Sequence, residues 1–506
     1  MLPLLILALV AAAQAQPFTV THGVGAGEAT TSTVVIWSRT DGAGAYMHVS
    51  MTAASSEPLA FVSDETTSAN GDYTMRLVAT GLAAATEYSY VVCFKAGTEP
   101  GCDGLDTGDG IFRTAAPKDV AAAVKIVWGG DLAGQDVCRD AQKGFPIFRP
   151  MADESADVGV LSGDMIYADN LCSATGLYGN AQVLGDFNQS ANLEAFRAHW
   201  AYNRGDALFV EFLEGTQVLV AWDDHEIVND AGPSHDTRPN RAAGDVDPEP
   251  PYAPDAKLTP LALQTMYEWN PFSATVEEPR HYGSFRYGKH VEIFRLDTRL
   301  YRDANLLNDT TYFNKTLLGI EQKLWLKNAI AESDATWIIV QSSVPLSIPT
   351  GSIRTGRDGW TNGDASSDGP NTATMGGFEQ ELLEIIDAFK AAGVKNTVWI
   401  TADVHFAEVF EYPEWAPNFW EGVVGPLNAG LFPKQEFDMT LGGVQRRFGP
   451  FGPESFDASV ELGYDEVLKW MNYGVLEISE SGSLKISVKD VNGMPVYENT
   501  VEPMFQ

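Results

Sequence analysis

Residues 158–170 read VGVLSGDMIYADN, an apolar run broken at Ser162-Gly163 and followed by Asp164, Tyr167 and Asp169. Val158, Val160 and Leu161 have the length and composition of a buried strand. The Gly-Asp turn then delivers Asp164 beyond a sheet edge, where open α/β sheets gather their ligands. Tyr167, three residues on, can face the same place. A carboxylate and a phenolate within one turn both offer anionic oxygen, which suits hard, highly charged cations. Taken alone, the stretch fits equally an Asp that caps the next turn beside a packed Tyr.

Outward from this stretch the pattern repeats. From Ala121 on, strand-type runs AAVKIVWGGD, TQVLVAWDDH, HVEIFRLDTR, ATWIIVQSS and NTVWITADVH alternate with helix-type periodicity, as in ANLEAFRAHWAYN, GIEQKLWLKNAIAES and FEQELLEIIDAFKAAG. Such alternation predicts an α/β domain over 117–506. Residues 475–506 read as antiparallel strands that close one edge of it. Upstream, residues 17–116 show short β-type runs separated by turns, the signature of a small β-sandwich of immunoglobulin or fibronectin type, with Trp37 and Tyr88 as packing aromatics. The stretches 229–260 and 351–377, rich in Gly, Pro and polar residues, are expected to be long loops.

The 506-residue chain is 44% hydrophobic and 20% charged, a composition for two or three folded domains rather than disorder. Residues 1–15, MLPLLILALVAAAQA, join an apolar core to an Ala-Gln-Ala ending and read as a secretory signal, although the basic n-region is missing. A buried N-terminal strand or helix is the alternative. No later run has membrane-spanning length. Cys93, Cys102, Cys138 and Cys172 fit an oxidising compartment; local pairing favours Cys93 with Cys102, leaving Cys138 with Cys172. Sequons at Asn188, Asn308 and Asn314 would carry glycans in a eukaryotic host. A net charge of −35 argues against nucleic acid or an anionic membrane as partner.

Four strand ends carry metal-type residues: Asp131; Asp164 with Tyr167; Asp223, Asp224, His225 and Glu226; and Asp403 with His405. Independent strands rarely end this way unless the ends converge, and converging carboxylates repel one another without a cation. In this order, GDMIYAD (163–169), WDDHEIVND (222–230), FRLDTRLYR (294–302), TADVHFAE (401–408) and VGPLNAG (424–430) resemble the PhoD-type alkaline phosphatases, a branch of the calcineurin-like metallophosphoesterases. FTVTHGVGAGEATTSTVVIWSRT (18–40) is similar to that family's N-terminal β-domain, so the resemblance spans nearly the whole chain after the signal.

The resemblance implies a four-layer α/β/β/α metallophosphoesterase sandwich after the small all-β domain. It implies hydrolysis of phosphoric mono- or diesters by a metal-activated water, with ferric iron (Fe3+), calcium (Ca2+) and room for a second Ca2+. Asp164 matches the bridging carboxylate, Tyr167 the tyrosinate on iron, and His405 a ligand on the iron side. Asp224 and Asp403 match ligands of the neighbouring, calcium-like site, and Asn229 lies in the same motif. The family places a cysteine after the first strand; here Asp131 stands at the strand end and is the expected ligand, with Cys138 as competitor. His225, beside Asp224 but not needed as a ligand, is the expected acid for the leaving alkoxide, or else a residue that only bonds a ligand carboxylate. Arg299 beside Asp297 reads as a structural ion pair. Phospholipase D-like cleavage and a non-catalytic surface binder on the same fold are the alternative readings.

Overall fold

The computed structural model describes residues 18–54, 56–231, 255–275, 278–305, 307–312, 314–351, 357–363 and 376–504. The expected signal, residues 1–15, lies outside them, as do 232–254, 352–356 and 364–375 of the two expected long loops.

Strands are numbered in chain order. A nine-stranded sheet runs β20 (Pro495–Val501), β19 (Leu484–Asp490), β18 (Asn472–Ile478), β8 (Val124–Gly129), β9 (Val158–Ser162), β10 (Val218–Ala221), β1 (Val20–Gly27), β2 (Thr33–Thr40), β5 (Thr74–Thr80). Its centre, β8, β9 and β10, is parallel, and the last three strands of the chain close one edge in antiparallel pairing. A seven-stranded sheet runs β11 (Gly283–Tyr287), β12 (Val291–Arg295), β13 (Trp337–Gln341), β14 (Thr397–Thr401), β16 (Phe419–Val423), β15 (Ala407–Glu411), β17 (Gln445–Phe451), with β12, β13, β14 and β16 parallel. The third sheet is β4 (Leu59–Val62), β3 (Tyr46–Ala53), β6 (Glu87–Lys95) and β7 (Gly108–Arg113).

The two large sheets face each other. Every residue of β9 is buried, and alternation along the strand sends Val158 and Val160 into the layer between the sheets and Leu161 to the opposite face. Trp128, Leu219, Trp337, Ile339, Val398 and Ile400 share the inter-sheet layer. Leu161 shares an apolar cluster with Phe148 of α1 (Phe148–Asp153) and Phe209 and Phe212 of α3 (Ala207–Gly215); residues of α2 (Leu193–Arg204) and α4 (Asp255–Trp269) lie in the same cluster. On the far side of the seven-stranded sheet, Val340 and Trp399 pack with Leu326 of α5 (Gly319–Glu332) and Ile385 of α6 (Glu379–Ala392). The molecule is thus a mixed α/β fold with helices outside two facing sheets.

β1, β2 and β5 belong to the nine-stranded sheet, β1 joining β10 in parallel at Gly27 and Val218. Their other face packs Val24, Val34 and Ile36 against Met47, Val49 and Val92 of the four-stranded sheet. Sheet pairing therefore runs across the boundary expected at 116/117. Tyr88 lies in this apolar layer, but Trp37 does not. Trp37 follows Ile36 on β2 and so points the other way, where its indole donates to the Glu268 carbonyl at 2.7 Å under the Arg204 guanidinium. Both expected disulfides, Cys93–Cys102 and Cys138–Cys172, are formed. No described helix is long and apolar enough to cross a membrane.

Within the nine-stranded sheet the Trp128 ring lies over its partner on the neighbouring strand, Gly474 of β18, where a Cβ would come 2.2 Å from it. Overpacking of this kind costs about 1–3 kcal/mol. Gly474→Ala should lower stability in urea unfolding by that amount. Adding Trp128→Leu, which removes the opposing ring, should make the pair lose less than the sum of the two single variants.

Candidate metal centre

Parallel strands β8, β9 and β14 run out into turns whose first acids take a left-handed backbone: Asp131 (φ 65), Asp164 (φ 53) and Asp403 (φ 77), with His405 (φ 59) close behind. Such angles are rare outside glycine and cost of order 1–3 kcal/mol each, so the surroundings must hold them. Here they do. The Asp131 N–H donates to the Gly163 carbonyl at 3.3 Å, the Leu132 N–H to Asp164 O at 2.8 Å, and the Asn428 N–H to Asp131 O at 3.1 Å. Gly163 has φ 102, and a Cβ there would sit 2.7 Å from that of Asp223, so the turn admits only glycine.

The side chains converge. Asp131, Asp164 and His405 bring ligand atoms within 4.8 Å of one another, as do Asp164, Asp223, Asp224 and Asp403, and also Asp164, Asp224 and His225. Asp164 is common to all three groups. Tyr167 reaches the first: its hydroxyl lies 2.8 Å from His405 Nε2, which is 3.6 Å from Asp131 Oδ1. His405 Nδ1 faces the Gly430 carbonyl, an acceptor only, so Nδ1 carries the proton and Nε2 keeps a lone pair. The Tyr167 hydroxyl therefore donates to Nε2, and its ring stacks on His225 with centroids 4.1 Å apart.

The electrostatics are those of a site short of positive charge. Both oxygens of Asp131, Oδ1 of Asp224 and Oδ2 of Asp223 are buried without a hydrogen-bond partner. Burial, reinforced by the charge of Asp223, pushes the Asp131 carboxyl well above the usual range. Asp164 and Asp403 are raised well above it too, by burial first and then by Asp223 and Asp224. Burial also raises the Tyr167 phenol and lowers His405 to about 3, leaving a neutral imidazole. Buried carboxylate oxygens, a phenol and a neutral imidazole with an unprotonated Nε2 are the donor set of hard and borderline cations, so these residues fit such a group.

Around them stand residues whose roles were not visible in the motifs. Asp169 accepts from His225 Nδ1 at 2.7 Å and from the Asn229 N–H at 3.0 Å. Burial acts to lower the His225 pKa, but Asp169, Asp224 and Asp164 together hold it well above its ordinary value. Glu226 accepts from the backbone N–H groups of Asp164 (3.0 Å), Met165 (2.6 Å) and Asp223 (2.8 Å), pinning two strand-end turns with one carboxylate. Arg299 is fully buried and bidentate on Asp358 at 2.9 and 2.7 Å, with Asp223 on its other side, which makes it the structural ion pair expected, though with partners other than Asp297. Asp358 also forms a further acidic group with Asp224 and Asp230. Asn229 is exposed, and its backbone N–H is spent on Asp169. Cys138, bonded to Cys172, has no thiolate to offer. Glu226→Ala would strand three buried donors at about 1–3 kcal/mol each. It should lower the unfolding free energy by about 3 kcal/mol or more and reduce bound metal, with Glu226→Gln, which keeps one acceptor oxygen, falling between.

The sequence profile of the PhoD-like phosphatases matches residues 128–455, and that of their N-terminal domain matches 7–116. Alkaline phosphatase D of Bacillus subtilis (strain 168) is 26% identical over 302 residues, which are 56% of this chain and 46% of that relative. The chain thus spans less than half the length of the curated relative it matches. Among solved structures, that of PhoD superposes over 97% of this chain and 93% of its own with a TM-score of 0.69 at 16% identity. The purple acid phosphatase PPD1 from yellow lupin seeds superposes over 95% and 74% with a TM-score of 0.58 at 13% identity, and both likenesses speak to the fold. With the catalytic-domain profile covering well over half of its residues, the chain belongs to the PhoD-like phosphatase family.

Proposed function

We propose that this chain is a secreted phosphoric ester hydrolase that acts on mono- or diesters through a metal centre built around Asp164. The observation that carries this reading is the sharing of Asp164 among three convergent groups in which oxygens of Asp131, Asp223 and Asp224 are buried without partners. In it, Asp131, Asp164, Tyr167 and His405 hold ferric iron, and Asp164, Asp224 and Asp403 hold calcium. An Asp at 403, where other calcineurin-like enzymes usually carry His, supports the harder cation at the second position. Two adjacent cations bound there supply positive charge for the phosphoryl oxygens and lower the pKa of the attacking water. His225 has Nδ1 committed to Asp169, which leaves Nε2 to protonate or bond the leaving oxygen.

The same reading takes residues 17–116 as an immunoglobulin- or fibronectin-like domain, 117–506 as a metallophosphoesterase four-layer sandwich, and 1–15 as the export signal. It expects no nucleic-acid partner, given the net charge of −35.

Protein purified without chelator should contain iron and calcium and release phosphate from esters; zinc alone would overturn the metal assignment. Tyr167→Phe keeps the ring and loses the hydroxyl, so it should abolish a visible charge-transfer band, and activity should fall with the colour. A colourless yet fully active variant would refute the iron position. His225→Ala should retain both metals and lose about a hundredfold or more in kcat. Asp164→Asn, a poorer bridge, should lose metal as well as rate.

A further inference from the structure

Asp403 and His225 are the most exposed members of the carboxylate cluster, which has unlike neighbours on its two sides. Asp403 is half-buried and the His225 side chain is 11% exposed, so the cluster reaches the surface there. The His225 side is polar, made by Asp169 and the backbone of the exposed Asn229. On the His405 side the neighbour is Phe432, its ring centroid 4.8 Å from the imidazole. Phe456 stacks on Phe432 at 6.1 Å with 24° between the ring planes. Both phenyl rings are only half-buried.

Two large apolar rings left in part to water beside a charged cluster are held in place by their backbones. The Leu431 N–H donates to the Tyr178 hydroxyl at 2.8 Å and the Gly430 N–H to Gln135 Oε1 at 3.2 Å, which fixes the chain entering Phe432. Phe456 opens the helix Phe456–Leu462, capped by the Ser455 hydroxyl on the Ala458 N–H. The rings therefore form a preformed face rather than a loose patch, and an apolar ligand gains most from a surface that needs no ordering.

We propose that Phe432 and Phe456 form an apolar subsite for the alcohol portion of the ester, favouring aryl or other apolar substituents over small polar ones. The proposal rests on the hydrolase reading above. A phosphoryl group at the cluster carries its organic substituent beside His405, and a flat apolar face there accepts an aryl group by offset stacking. The polar His225 side offers no such face.

The test compares para-nitrophenyl and glycerol esters of phosphate, as whichever of the monoester or diester pairs the wild type turns over. Phe432→Ala and Phe456→Ala should each raise KM for the aryl ester about five- to tenfold, while KM for the glycerol ester stays within about twofold. Phe432→Tyr should restore the wild-type preference. Metal content is measured for each variant, and Phe456→Ala, which leaves the Phe432 ring against His405 in place, decides the matter if Phe432→Ala loses metal. Equal changes for both esters, or none for the aryl ester, overturn the subsite. A metal-loaded wild type that hydrolyses neither ester overturns the hydrolase reading instead.

Discussion

Mutual repulsion among buried carboxylates at the strand ends is the constraint on which the rest of the structure depends. Asp131 on one side and Asp223, Asp224 and Asp403 on the other gather around Asp164 in two groups, each with ligand atoms within 4.8 Å, and several oxygens are left without a hydrogen-bond partner. At an interior dielectric, like charges this close oppose folding unless something positive compensates them. The protein supplies part of that compensation itself. Arg299 takes Asp223 and Asp358, and His225 takes Asp169. The unpaired remainder defines where a cation belongs.

Holding such a cluster requires rigid support, and the support is mostly backbone. Left-handed turns at Asp131, Asp164 and Asp403 aim the carboxyls inward, and the facing sheets, sealed by Trp128, Trp337 and their neighbours, keep the strand ends from drifting. Glu226 works in the opposite sense to its neighbours. It is an acid at the centre of an acidic site whose two oxygens face three N–H groups, so it steadies the turns without adding an open ligand position.

Much of this was legible in the sequence because a strand leaves a plain record, an apolar run ended by Gly-Asp or by an acid. Asp131, Asp164, Asp224, Asp403 and His405 could be picked out that way, and the parallel core strands followed from the same runs. What could not be read is what arrives from afar. Asp358 joins Arg299 across 59 residues from a stretch without a motif, and the carbonyl of Gly430 sets the tautomer of His405 though carbonyls leave no sequence signal. Asp169 stood in the opening stretch, but nothing in its spacing revealed His225 as its partner, 56 residues on. Trp37 reads as a packing aromatic and is one, but the face of β2 that it takes could not be read, since a strand buried on both sides gives no polar residue to mark which way is out.

The continuity of β1 with β10 bears on how the chain can be divided. β10 is four residues long, buried throughout, and lies between β9 and β1. Separating the first hundred residues from the rest would uncover it as an apolar edge strand with open N–H and C=O groups, a template for pairing with other chains. The N-terminal unit therefore acts as a seal on the larger sheet, and its loss would show first as self-association of the remainder, before any change in chemistry at the opposite end of the strands.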